Sequence, residues 1–135
     1  YISKKMDISR EHPTGSKVWA NEILHRAPVI QDYLETTLRD WTASRAAVID
    51  RWVAEGKIAP VNARYLLYMI WATTQHYADF NHQIDTLNGG APLDDSQFED
   101  AKKTVIGIVL AGIGARPPAA PASAPAPAEP ARAEA

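Results

Sequence analysis

Between positions 62 and 80 the chain places apolar side chains on every side of a helix. At about 100° per residue, Leu67, Tyr68 and Trp71 share one side with Gln75. Tyr65, Met69, Ala72 and Phe80 share a second side with His76, and Leu66, Ile70 and Tyr77 cover the third. A helix that is apolar all round has to be buried all round. The expectation is a rod sandwiched between its own domain on one side and a partner subunit on another.

The rest of the chain supplies that domain. No stretch of useful length alternates with the period of two that a strand requires, so the fold class is all-α, about five helices followed by a tail. A first helix reaches about Glu11 and is stopped by Pro13. Thr14 or Ser16 can cap a second, which carries Val18, Trp19, Ile23 and Leu24 inward. Pro28 suits the first turn of a third, long helix over 28–55 with Ile30, Tyr33, Leu34, Leu38, Trp41, Val48, Ile49 and Trp52 at helical spacing. It spans roughly 40 Å at 1.5 Å per residue. Gly56 ends it in a left-handed cap.

Asn62 caps the apolar helix, which is expected to fray between Asn81 and Asn88, and residues 88–92 form a loop. The last helix starts at Asp94 or Asp95, with residues 96–99 resembling a capping box. Phe98, Ala101, Val105, Ile106, Val109, Leu110 and Ile113 give it a wide apolar stripe, and Gly107 and Gly112 permit close helix approach. Two regions follow: a folded domain over 1–114 and a disordered Pro/Ala-rich tail over 115–135. Because the chain opens on Tyr1 within helical sequence, it reads as the C-terminal piece of a longer polypeptide.

Composition narrows the function classes. The 135 residues carry a net charge of −2, with Lys and Arg scattered, which argues against nucleic-acid binding by this chain itself. The absence of cysteine excludes disulfides and thiolate metal sites and fits a cytoplasmic setting. The longest apolar run, 105–115, is about half of the ~20 residues a membrane span needs.

Few residues invite chemistry. Glu22 and His25 have the Glu-x-x-His spacing of di-iron helical bundles, but only one copy is present, so a surface histidine beside a helix acid is the preferred reading. His76, Asp79 and His82 lie on adjoining faces of one helix, yet a single ion reaches two of them and hardly three. No nucleophile-base pair or glycine-rich phosphate loop is present, so neither an enzymatic role, a cofactor nor a metal is expected. Trp71 and Gln75, one helical turn apart beside Tyr68, stand out. The indole offers a stacking face, and the carboxamide offers a donor and an acceptor side by side. Together they complement a small planar ring with adjacent N–H and C=O groups. The competing reading is a core tryptophan with a glutamine bonded to a neighbouring backbone carbonyl.

The stretch Met69-Ile-Trp-Ala-Thr-Thr-Gln-His-Tyr-Ala-Asp-Phe80 resembles the signature of the pyrimidine-sensing repressors of the Rut pathway, a branch of the TetR family. Tyr1-Ile2, Ser9-Arg10 with Pro13, Glu22 with Leu24, Ala27-Pro28, Trp52-Val53, Gly56-Lys57 and Ala59-Pro60 fit in the same order, so the likeness covers Tyr1 to Ile113. The resemblance implies a TetR-type C-terminal effector-binding and dimerisation bundle. Its N-terminal helix-turn-helix domain, which contacts operator DNA, is absent from this chain. It further implies a homodimer through the last two long helices, with uracil or thymine held by Trp71 and Gln75. Tyr68, Trp19 and Glu22 would line the same cavity, and a membrane has no part in this scheme. Two alternatives stay open: a TetR-type sensor of another, hydrophobic ligand, and a helical dimerisation module without a ligand.

Overall fold

A computed structural model describes residues 1–115. The Pro/Ala-rich tail expected to be disordered lies, from residue 116 on, outside the described residues. Among the described residues there are six helices and no strand. They are α1 (Ile2–Glu11), α2 (Pro13–Leu24), α3, α4 (Ala63–Asp79), α5 (Asn81–Leu87) and α6 (Asp95–Gly112). The long α3 is continuous through Gln31–Tyr33, a π-helical turn at Leu34–Leu38, and Arg39–Ala54.

Local chemistry sets most boundaries. The Asn62 side chain accepts the N–H groups of Arg64 and Tyr65 at 3.1 and 3.2 Å and so starts α4. At the end of α3, Gly56 has φ +69. Its N–H reaches the Val53 carbonyl at 3.0 Å while Lys57 N–H reaches Trp52 at 2.9 Å, a Schellman closure that needs the left-handed residue. The connector then lies against the end of α6, where Ala59 N–H donates to the Ile113 carbonyl at 2.8 Å.

The core sits where α1, α3, α4 and α6 meet. Met6, Ala46, Ile49, Ile58, Leu66, Leu67, Ile70, Phe98, Val105 and Val109 form one buried cluster. Lys102 of α6 reinforces the α1 contact from the outside, its ammonium 2.8 Å from Asp7 Oδ1 and also bonded to Glu99.

Several expectations are corrected. Helix α2 begins at Pro13, with His12 as its N-cap residue and no side-chain cap; proline pre-sets the helical φ, and Ser16 directs its hydroxyl to Asp79 instead. None of its residues is buried, and Val18 and Leu24 are 62% and 81% exposed, so its apolar side chains do not enter the core. Helix α3 starts at Gln31, not at Pro28, because residues 25–30 form a turn with Arg26 and Ala27 at φ 67 and 53. Residues 81–87 are helical rather than frayed, after a break at Phe80 with φ −117 and ψ 27. The capping box of α6 pairs Asp94 with Gln97, not Ser96 with Glu99: two reciprocal bonds of 2.8 and 2.9 Å join each side chain to the other's N–H.

The described residues cover only part of the apolar helix, as a rod shared with a partner subunit requires. Leu66, Leu67, Ile70, Thr74 and Ala78 are buried, but the side carrying Tyr65, Met69, Ala72, His76 and Phe80 is exposed, Tyr65 by 69%. A comparable strip of α6 is exposed through Gly107, Ile108, Ala111 and Gly112. A Cβ added to either glycine meets nothing within 4 Å among the described residues. Their small size therefore serves no contact among the described residues. Among the described residues no helix is long and apolar enough to cross a membrane.

Candidate functional site

Because α2 buries nothing, it leaves a cavity of about 760 Å³ between itself, the start of α3 and the face of α4. Trp19, Ile23 and Leu24 supply the α2 wall, Leu34 and Leu38 the α3 wall, and Tyr68, Trp71, Gln75 and Asp79 the α4 wall. Leu34 and Leu38 bound the π-helical turn, in which the N–H of Arg39 reaches back five residues to the Leu34 carbonyl. Such turns re-aim side chains and often accompany binding sites; this one sets two leucines into the wall.

The α4 wall is rigid where it is aromatic. Trp71 packs against Tyr68 and Trp41, with ring centroids 5.7 and 6.2 Å away. Its indole N–H donates to the Tyr1 hydroxyl at 2.8 Å. The indole lines the cavity and has no free donor to offer it. Trp19, across the cavity, is braced edge-on by Tyr33 at 6.0 Å.

Gln75 behaves differently. It is half-buried, and among the described residues its carboxamide makes no hydrogen bond, so the reading in which it is bonded to a neighbouring carbonyl is not what the helix adopts. The polar work inside α4 is done by Thr74, whose hydroxyl donates to the Ile70 carbonyl at 2.8 Å. The Thr74 carbonyl in turn receives the buried Ser9 hydroxyl of α1 at 2.9 Å.

Four of the five residues expected at the site, Trp71, Gln75, Tyr68 and Trp19, line this one cavity. Glu22 does not. Its carboxylate accepts the Val29 N–H at 3.1 Å and holds the turn between α2 and α3. Leu34, Leu38, Asn21 and Asp79 join the lining without having been expected there. The leucines follow the same period as core residues, so nothing in their spacing marks a cavity wall.

Neither metal pattern assembles. His76 stacks on Phe80 at 5.1 Å, Asp79 accepts the Ser16 hydroxyl at 2.6 Å, and His25 Nδ1 lies 2.8 Å from the Asn21 carbonyl. Among the described residues no group of three His, Cys, Asp or Glu side chains is placed to hold an ion.

A second cavity, about 710 Å³ and almost wholly apolar, opens on the far side of Trp41. It lies between Tyr1, Trp52 and the end of α6. Arg45 sits over the Trp41 ring there at 5.4 Å.

Residues 1–116 match the family described as the C-terminal region of YcdC-like proteins. The chain is also similar to the HTH-type transcriptional regulators RutR of Escherichia coli O157:H7, Escherichia coli strain K12 and Shigella flexneri. Each is 37% identical over 116 residues, which cover 86% of this chain and 55% of the relative. The chain spans about half the length of the curated relatives it matches.

Proposed function

The chain belongs to the TetR family, as a C-terminal region of the YcdC-like type, and on that premise we propose that it is the effector-sensing and homodimerisation part of a DNA-binding transcriptional regulator whose effector is a pyrimidine base, uracil or thymine. One observation carries the choice of effector. In the cavity wall the carboxamide of Gln75, without a hydrogen-bond partner among the described residues, stands one helical turn from Trp71. A flat ring stacked on the indole would bring its N–H and C=O to the amide, which has one acceptor and two donor hydrogens to return.

The route from effector to DNA runs through α1. Trp71 is bonded to Tyr1 at one end of that helix, and Thr74 to Ser9 at the other. A ring seated against α4 shifts operator affinity only as far as it binds one setting of α1 better than another, typically ~1–3 kcal/mol of coupling. Operator contact belongs to the helix-turn-helix domain of the intact regulator. The exposed strips of α4 and α6 would meet those of a second copy and fix the spacing of the two DNA-reading domains.

Calorimetry with uracil and thymine tests the reading: both should bind, and Gln75→Ala should nearly abolish the heat while leaving the dimer intact. Unchanged affinity in that variant would remove Gln75 from the site. The size of the cavity favours a second reading, a bulkier hydrophobic effector. Thermal stabilisation by large aromatics and none by either base would establish it.

A further inference from the structure

Asp79 closes α4 one turn beyond Gln75, and both side chains stand in the wall of the same cavity. At 1.5 Å per residue they are about 6 Å apart along the helix axis. The Ser16 hydroxyl donates to Asp79 Oδ1 at 2.6 Å, and among the described residues the carboxylate makes no other hydrogen bond. Ser16 thereby fixes the group and leaves its second oxygen for a donor that no described residue supplies. The other polar liners are less suited to receive one. Trp71 has no acceptor, and its N–H is held by Tyr1. Lys17 carries donors alone and has turned its ammonium to Asn81 Oδ1 at 2.7 Å. Asn21 and Tyr68 are exposed, where water competes for them.

A ring stacked on Trp71 and paired with Gln75 through one N–H and its neighbouring carbonyl therefore has an ionic acceptor about one helical turn further on. We propose that Asp79 is the second polar contact of this site and selects a planar ring with N–H groups on both sides of a carbonyl, the pattern of a free pyrimidine base. The inference rests on the pyrimidine reading above. An N–H bonded to a carboxylate makes a stronger hydrogen bond than one to a neutral acceptor. A substituent on the second nitrogen, whether methyl or ribose, replaces that donor by carbon and sets it against the carboxylate. The site accepts bases and turns nucleosides away.

The test is calorimetry on the intact chain with uracil, 1-methyluracil and 3-methyluracil, repeated after Asp79→Asn. Either methyl group removes one of the two N–H contacts, so both derivatives bind at least about tenfold more weakly than uracil. Asp79→Asn weakens uracil by about the same factor and brings one of the two derivatives level with it. A monomethyl derivative that binds wild type as tightly as uracil overturns the inference, as does unchanged uracil affinity in Asp79→Asn. The ligand series on wild type stands even if the variant misfolds. Failure of wild type to bind uracil at all is a different result: it removes the pyrimidine reading itself, and the role of Asp79 with it.

Discussion

The Ser9 hydroxyl donates to the Thr74 carbonyl at 2.9 Å, and both residues are buried. This bond joins α1 to α4 one residue before Gln75 and three after Trp71, the two residues proposed to meet the effector. It is the interior counterpart of the Tyr1–Trp71 bond at the start of α1. A helix tied at two points to one wall of a cavity moves with that wall. Ser9→Ala removes one buried hydrogen bond from a site with no access to water, so it should cost about 1–2 kcal/mol of stability. The effector should then shift operator affinity less, at little change in its own binding. Urea unfolding and operator titrations with and without effector check the two parts; wild-type values for both would show the bond to be incidental.

Arg26 and Ala27 occupy the left-handed region at φ 67 and 53, where the end of α2 turns into α3. Their N–H groups are well used, on Ile23 at 3.1 Å and Glu22 at 2.7 Å, so the turn is held by bonds and opposed by its side chains. For an L residue that region costs about 1–2 kcal/mol, while glycine costs ~0.5–1 kcal/mol in chain entropy. Arg26 is exposed and packs no core. Arg26→Gly should therefore raise stability by about 0.5–1 kcal/mol, measured as a higher urea midpoint at unchanged slope. Ala27 is the poorer choice because its buried methyl would leave a hole.

Hydrogen bonds from Lys102 first to Asp7 and then to Glu99 hold its ammonium above the usual lysine range, outweighing the opposing effect of burial. A folded-state pKa raised above the unfolded value means a contribution that is complete below about 10.5 and disappears as pH climbs through the folded value. Stability from this group is thus flat through neutrality and falls only in strong alkali. Urea midpoints from about pH 8 to about pH 12 should fall more steeply for wild type than for Lys102→Met. Parallel curves would mean that the α1–α6 link adds nothing.

How far the sequence foretold this molecule depended on whether the cause was local. Asn62, Gly56 and the Asp94–Gln97 pair act on backbone groups within a few residues, and the C-terminal end of α3 and the starts of α4 and α6 came out at or within a residue or two of expectation. Trp71, Gln75 and Tyr68 share a wall because helical spacing alone puts them there. Failures arose where partners are distant in sequence. Val18 and Leu24 look like core residues until α2 is seen to stand off from the bundle, tethered by Ser16 to Asp79 and by Lys17 to Asn81. Glu22 sits on the helix that forms the cavity, but its carboxylate answers to Val29. Asp79 was legible only as one of three possible metal ligands, since its bond to Ser16 spans 63 positions.

The side of α4 that carries Tyr65, Met69, Ala72, His76 and Phe80 makes the most direct prediction about assembly. These positions recur every three or four residues, so they form one continuous strip, and the described residues leave it uncovered. Ile108 of α6, between Gly107 and Ala111, is a further exposed apolar side chain at 67%. Contiguous exposure of this kind marks an interaction surface. In a two-fold dimer each substitution acts twice. Met69→Lys should lose about 2 kcal/mol or more per copy from apolar burial and an unpaired charge, or about a thousandfold in the dimer dissociation constant. Gly107→Ala separates folding from assembly. Its added methyl meets nothing among the described residues, so the single chain should gain up to ~1 kcal/mol of helix stability, whereas two helices in close approach there would be pushed apart. Sedimentation velocity over a concentration series reads both variants. A dimer that is equally tight in wild type, Met69→Lys and Gly107→Ala would place the interface somewhere other than α4 and α6.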